Sequence, residues 1–217
     1  LEQLLGGEAA VAALEERHRV EDGAERIAHL VGEHGGGVAH RGGALLRHHR
    51  PLEPGDLLEA LRRAAVVPHA GYRYSGRVAA GVFLRISPER IGRIIVMGPS
   101  HYTAMRNQIS VPDATHFATP LGELSADIGF LRRLRALPFV THVPEAHTQE
   151  HSDQIQLPLI QACLSKQLPV VCMVCGQFDA AGLLDAAAAL RPLLDEGTLV
   201  VASSDFTHYG ASYGYVP

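Results

Sequence analysis

Residues 93–101, RIIVMGPSH, carry an apolar, β-branched run directly into a histidine. The run is too short for an ordinary helix, and its Ile and Val content is typical of a buried strand. Two further short runs end in the same way. Residues 66–67 lead into PHAGY at 68–72, and residues 199–202 lead into SSDFTHYG at 203–210. The sequence therefore predicts three strands that each finish beside a histidine motif.

Helical and strand patterns alternate beyond residue 65. Helices are predicted at 75–84, 125–136, 150–167 and 180–194, and further strands at 108–111 and 170–175; the last of the three strands above is predicted to cover 198–202. Such an order is typical of parallel strands joined by helical crossovers. The expected fold class is α/β, with a central, largely parallel or mixed sheet flanked by helices.

The first 50 residues differ from the rest in composition and in apolar pattern. Residues 1–19 and 24–33 are rich in Ala, Leu and Glu at helical spacing, and residues 34–50 form a Gly- and His-rich linker. Asp56 is suited to cap a helix over 57–65. We therefore expect a helical N-terminal segment with its linker at 1–50 and an α/β domain at 51–217. Since the chain opens at Leu1 and not at Met, it is expected to be a fragment.

Composition excludes several classes of partner. Among 217 residues, 47% are hydrophobic and 19% are charged, which indicates a folded globular protein. The net charge of −4, without a basic run, argues against nucleic acid or an anionic membrane surface as a partner. No apolar stretch approaches the roughly 20 residues that span a bilayer. Three clustered cysteines and the lack of a basic leader predict a cytoplasmic location.

The histidines that follow the strands carry the candidate chemistry. At the carboxyl edge of a parallel sheet, His69, His101 and His208 would lie together, and the segment 150–153 could add a carboxylate or an imidazole. Imidazole is a common ligand of Fe, Cu, Zn and Ni, so we predict a mononuclear metal site. His208 is either a ligand or a general base oriented by Asp205. The alternative is that each histidine is a hydrogen-bonded structural residue.

Other motifs receive no functional role. Cys172 and Cys175 have CxxC spacing but lie in an apolar run, and are interpreted as buried structural residues. Nucleotide-binding, zincin and α/β-hydrolase motifs are absent from the sequence, so no nucleotide cofactor is expected.

Four motifs together resemble the MEMO family, whose bacterial and archaeal members are called AmmeMemoRadiSam system protein B. They are HAGYRYSG at 69–76, GPSH at 98–101, EHSDQIQLP at 150–158 and SSDFTHYG at 203–210, in matching order and spacing. The resemblance covers roughly residue 65 to the end. It implies a fold like that of class III extradiol dioxygenases of the LigB type, and thus a MEMO-like domain at 51–217.

The resemblance also implies roles for individual residues. His69 and His101 would be ligands of Fe(II) or Cu, and His208 would be the catalytic base with Asp205 in support. Possible pocket residues are Tyr72, Ser100, Glu150 and His151. The family's third ligand is a cysteine downstream of the last motif, which Cys163, Cys172 and Cys175 do not match. The chain is therefore expected to be truncated at its C-terminus.

Two functions remain open at this point. One is a metal-dependent oxidoreductase with dioxygenase-like activity on an unknown substrate. The other is a non-catalytic binding or adaptor module that uses the same pocket for a peptide or a small ligand. The resemblance further implies a functional association with Amme-type and radical SAM proteins.

Overall fold

The structure is a computed structural model that describes residues 64–205 and 207–216. The predictions for 1–50, and most of the helix predicted at 57–65, lie outside the described residues. At the end of that predicted helix, Ala64 and Ala65 belong to a strand. The helix prediction was wrong for these two residues because pairing with the neighbouring strand β8 overrides the strong intrinsic helical preference of alanine.

Eight strands and five α-helices make up the described part of the chain. The strands are β1 (Ala64–Val67), β2 (Arg93–Pro99), β3 (Ile109–Ser110), β4 (His116–Thr119), β5 (Gly122–Ser125), β6 (Val140–Thr141), β7 (Val170–Cys175) and β8 (Thr198–Ser203). The helices are α1 (Tyr72–Phe83), α2 (Ile128–Leu134), α3 (Glu145–Thr148), α4 (Gln156–Cys163) and α5 (Ala180–Leu190). None of these helices has the length and apolar character needed to cross a bilayer.

The central sheet has six strands in the order β1-β8-β2-β7-β3-β6. The pairs β1–β8, β8–β2, β2–β7 and β3–β6 are parallel, and β3 is antiparallel to β7. The predicted α/β class with a largely parallel or mixed sheet is confirmed. The near-continuous apolar sequences of β2 and β7 fit strands that are covered on both faces. Strands β4 and β5, which sequence patterning missed, form a separate antiparallel hairpin.

A buried cluster on the sheet fixes the position of α2. Phe130, Leu131 and Leu134 of this helix are almost fully buried and belong to the same cluster as Ile95 of β2 and Met173 of β7. Burial of each such side chain contributes roughly 1.5–3 kcal/mol. The core therefore stabilises the centre of the sheet, whose strand ends carry the histidine motifs.

The helix predicted at 150–167 is shorter in the structure and begins at Gln156. Residues 150–155 instead form a turn, in which Glu150 accepts hydrogen bonds from the backbone amides of His151 and Ser152. Pro158 lies in the first turn of α4, where a missing amide hydrogen costs no helical hydrogen bond. The prediction was thus wrong at its start, and the turn carries His151 away from the helix.

Candidate metal centre

Three neighbouring parallel strands carry the predicted site residues to one edge of the sheet. His69 follows β1, His101 follows β2, and Asp205 and His208 follow β8, which lies between the other two strands. These side chains share one cavity of about 350 Å³. The cavity is lined by His69, Pro99, His101, His151, Ser204, Asp205 and His208. The expectation that the three histidine motifs meet at one edge is confirmed.

Three of the imidazoles are close enough to share an ion. One ring nitrogen from each of His69, His101 and His151 lies within 4.8 Å of those of the other two. The ring centroids are 5.2 Å apart for His69 and His101, 5.6 Å for His69 and His151, and 5.0 Å for His101 and His151. The sequence suggested that the segment 150–153 could add a carboxylate or an imidazole, and His151 itself was named only as a possible pocket residue. The geometry makes it a third potential ligand.

The turn that carries His151 packs tightly against β2. A Cβ atom added at Gly98 would lie 2.3 Å from Oγ and 2.8 Å from Cβ of Ser152. The Ser152 hydroxyl donates to the carbonyl oxygen of Pro99 at 2.9 Å. Only a glycine at position 98 permits this close approach. Gly98 is therefore the residue in the GPSH motif that brings His151 next to His101.

Glu150 orients His101 from behind the cavity. Its buried carboxylate lies 2.8 Å from Nδ1 of His101 and accepts the backbone amide of the same residue at 2.7 Å. Burial alone would raise the pKa of Glu150, but hydrogen bonds from His101 and Ser152 lower it to about 2. An ionised carboxylate can only accept hydrogen bonds, so Nδ1 of His101 carries the proton. The lone pair of His101 is then on Nε2 and free for a ligand.

Asp205 fixes the loop that carries His69. Its Oδ1 atom accepts the backbone amides of His69 at 2.7 Å and Ala70 at 3.1 Å. Its Oδ2 atom lies 3.9 Å from Nε2 of His69 and 3.6 Å from Nε2 of His208. Both distances are longer than a hydrogen bond allows. Asp205 therefore supplies negative charge beside two imidazoles while its other oxygen anchors the backbone.

His69 is the buried member of the three-histidine group, with 3% of its surface exposed. Burial lowers its pKa; Asp205 opposes that shift, and the neighbouring His101 and His151 add to it. The net shift is downward, so the ring stays neutral to lower pH than a free histidine does. A neutral ring is the form that coordinates a metal.

His208 lies at the rim of the cavity, and 54% of its side chain is exposed. The chain turns sharply just beyond it at Gly210, whose φ of 116° is open to glycine but strained for other residues. An exposed imidazole near a carboxylate can exchange protons with solvent or with a molecule in the cavity. His208 does not belong to the group formed by His69, His101 and His151. Its position at the rim is compatible with the role of a base.

Two of the candidate pocket residues use their hydroxyl groups away from the cavity. Tyr72 donates to the carbonyl oxygen of Ile155 at 2.8 Å, and burial raises its pKa to about 12. Ser100 donates to the carbonyl oxygen of Thr103 at 2.7 Å. Neither residue lines the cavity that contains the histidines. They stabilise the loops on which His101 and His151 stand.

Cys172 is a buried thiol, and Cys163 and Cys175 are partly buried. Cys172 is 1% exposed in β7, and burial raises the pKa of Cys175 to about 12 and that of Cys163 to about 11. All three are free thiols, and none of them lines the histidine cavity. Their surroundings agree with the structural interpretation of the CxxC sequence.

Comparison with known proteins gives the family. Residues 45–216 match the family described as Memo-like protein. A MEMO1 family protein of Thermococcus onnurineus is 35% identical over 162 residues, which are 71% of this chain and 55% of that protein. One from Schizosaccharomyces pombe is 35% identical over 166 residues, 72% of this chain and 53% of that protein.

A third relative, a MEMO1 family protein of Aquifex aeolicus, is 33% identical over 149 residues, 68% of this chain and 54% of that protein. The chain thus spans about half the length of the curated relatives it matches. The matched segment contains all the motifs that build the histidine cavity. The chain belongs to the Memo-like protein family.

Proposed function

We propose that this protein is a metalloprotein in which His69, His101 and His151 hold one transition-metal ion for oxidoreductase chemistry of the dioxygenase type. The observation that carries the proposal is the convergence of three imidazoles from three separate loops, with ligand atoms within 4.8 Å of one another. Isolated structural histidines have no reason to cluster in this way at the ligand edge of an α/β sheet.

The chemistry of the donors fits the proposed metal, Fe(II) or Cu. Imidazole nitrogens suit Fe, Cu, Zn and Ni, whereas Mg²⁺ and Ca²⁺ prefer oxygen ligands. The hydrogen bond from His101 to Glu150 is the kind of outer contact that orients a metal-binding histidine. The choice of iron or copper over zinc is what the resemblance to the MEMO family implies. When bound, such a metal would supply open coordination positions for O₂ or a chelating substrate.

The cavity and the residues around the three-histidine group have separate roles in this proposal. The cavity of about 350 Å³ accommodates a small organic molecule. His208 at its rim accepts a proton from an acidic hydroxyl of that molecule, and Asp205, 3.6 Å away, stabilises the imidazolium that results. Burial of His69 excludes water from one side of the site.

Oxygen consumption by the metal-loaded chain tests this function. The protein is purified without oxygen and supplied with Fe(II) or Cu(I), each of which can donate one electron to O₂, and O₂ uptake and superoxide formation are then followed. We expect metal-dependent O₂ consumption that is lost in His69→Ala and in His101→Ala but kept in His116→Ala, which changes an exposed histidine outside the cavity. Equal rates in all four proteins would refute the proposal.

A binding or adaptor module is the second candidate. Tyr102 and Tyr209 are 62% and 67% exposed and lie next to His101 and His208 in the chain, where they could contact a peptide. Exposed tyrosines are frequent in recognition surfaces. Metal-independent ligand binding that survives both His69→Ala and His101→Ala would favour this module. Association with Amme-type and radical SAM proteins, and a cytoplasmic location, stay predictions.

A further inference from the structure

A buried hydrogen-bond network lies behind His69, on the side away from the cavity. Ser203, the last residue of β8, is 2% exposed, and its hydroxyl oxygen lies 3.3 Å from Nδ1 of His69. The same hydroxyl donates to the backbone carbonyl of Ser152. It also accepts a hydrogen bond at 2.9 Å from the side-chain amide of Gln156, which is fully buried. Three residues from other segments of the chain therefore meet at the side-chain oxygen of Ser203.

The hydrogen atoms of this network can be assigned by counting donors and acceptors. A serine hydroxyl has one hydrogen to donate and two lone pairs that accept. The hydrogen of Ser203 is used by the Ser152 carbonyl, which has no hydrogen of its own. One lone pair accepts from Gln156, so the remaining one faces His69. That lone pair can be satisfied only if Nδ1 of His69 is the donor.

The orientation of the Gln156 amide supports this count. Its nitrogen donates both to Ser203 and to the carbonyl oxygen of Pro68 at 2.9 Å. The reversed amide would place its oxygen against the Pro68 carbonyl, which also only accepts. The amide nitrogen is thus fixed toward Ser203, and the Ser203 oxygen is fixed as an acceptor there.

The opposite tautomer of His69 is disfavoured. Among the residues that the structure describes, Nε2 of His69 faces the carboxylate of Asp205 at 3.9 Å, which is too long for a hydrogen bond. Nδ1 would then face Ser203 with a lone pair against a lone pair. In a buried site such a mismatch is unfavourable, because neither atom can reach water instead.

We infer that Ser203, clamped by Gln156 and Ser152, is a positioning residue that keeps His69 in the Nδ1–H tautomer and directs the Nε2 lone pair into the three-histidine cavity. This inference rests on the proposed function for its purpose, since a metal needs that lone pair. It gives His69 the same proton arrangement that Glu150 gives His101. The tautomers of the two proposed ligands would then be set by different groups: that of His101 by the carboxylate of Glu150, and that of His69 by the neutral hydroxyl of Ser203.

The tautomer can be measured in the metal-free chain. Long-range proton–nitrogen correlation spectra of protein with nitrogen-labelled histidine, at mildly alkaline pH, distinguish Nδ1–H from Nε2–H rings, and the His69 signals are assigned by their loss in His69→Gln. We expect the Nδ1–H form for His69 in the wild-type chain. A wild-type Nε2–H ring would overturn the inference without need of any further variant.

Ser203→Ala then tests the cause. We expect a mixture of tautomers at His69 and a roughly 10- to 100-fold weaker affinity for Fe(II), as for loss of an outer-shell partner. Ser110→Ala is the matched control, because Ser110 is equally buried and lies 2.8 Å from the ring of His147, outside the cavity. It should change neither quantity at His69. An unchanged His69 tautomer in folded Ser203→Ala would also overturn the inference.

The two proposals fail in distinguishable ways. If the wild-type chain binds no metal but His69 is Nδ1–H and responds to Ser203→Ala, the proposed function fails and the positioning role remains. If metal binds but the tautomer is Nε2–H, the function survives and the role of Ser203 is wrong. Ser203→Thr keeps the hydroxyl group that Ser203→Ala removes. The folded Ser203→Thr chain should therefore show the Nδ1–H form of His69, as the wild type does.

Discussion

Glu150 shows how a single buried side chain can organise ligands on two loops. Its two oxygens accept four N–H groups, three from backbone amides and one from the ring of His101. This set of donors holds the carboxylate ionised and stabilises the turn that presents His151. Removing one acceptor therefore disturbs both loops together.

Glu150→Gln is predicted to weaken metal binding about 10- to 100-fold. The amide replaces one accepting oxygen by a donor that faces another N–H group, which also costs roughly 1–3 kcal/mol of folding stability. Metal titration and thermal unfolding measure the two effects. Glu145→Gln, at an exposed position of α3, is the control and should change neither. Undiminished metal affinity in Glu150→Gln would contradict the orienting role.

The buried position of His147 predicts that the free energy of unfolding depends on pH in the acid range. Burial, with a smaller effect from His142, lowers its pKa from 6.5 to about 4. Between these two pH values His147 is protonated in the unfolded chain but stays neutral in the folded chain. The free energy of unfolding therefore falls as the pH drops through this window. Above pH 6.5 the group has no such effect.

Urea unfolding at several pH values checks this prediction. The loss of stability on acidification through the window should be smaller in His147→Gln, which keeps a hydrogen-bonding amide near Ser110. His116→Gln, which changes an exposed histidine, should follow the wild type. If His147→Gln also follows the wild type, another group causes the acid sensitivity.

At the scale of elements, the contact between β2 and the turn at 150–155 sets the spacing of His101 and His151. Gly98→Ala is predicted to push Ser152 outward, to lower stability by roughly 1–3 kcal/mol and to weaken metal binding. Gly92→Ala is the control, because a Cβ atom there meets its nearest neighbour at an ordinary 3.7 Å. Calorimetry and metal titration of both variants give the comparison. Equal behaviour would show that the close contact is not needed.

The same turn marks the limit of what the sequence could predict. His69 and His101 were identifiable because each follows a recognisable strand, and parallel strands end at the same edge. His151 could not be assigned as a ligand, since the polar segment 150–153 was interpreted as the start of the helix. The start of that helix depends on contacts with Gly98 and His101, which are distant in the chain. The hairpin β4–β5 was missed because its strands are short and mostly exposed.

At the scale of the whole molecule, the order β1-β8-β2 explains why motifs more than a hundred residues apart form one cavity. Alternation of helices and strands predicted the α/β class, but the sequence could not give the strand order or the antiparallel placement of β3. The position of β8 between β1 and β2 brings Ser203 behind His69 and Asp205 beside it. The network therefore depends on the pairing of β1 with β8 and on the packing of the turn at 150–155 against them.

X-ray absorption at the metal edge of the Fe(II)-loaded chain tests the central claim most directly, because it counts imidazole ligands on the ion. We predict one ion per chain with scattering from three imidazole rings, reduced by one ring in His151→Ala and unchanged in His116→Ala. An ion without imidazole scattering, or a spectrum that His69→Ala, His101→Ala and His151→Ala all leave unaltered, would contradict the account.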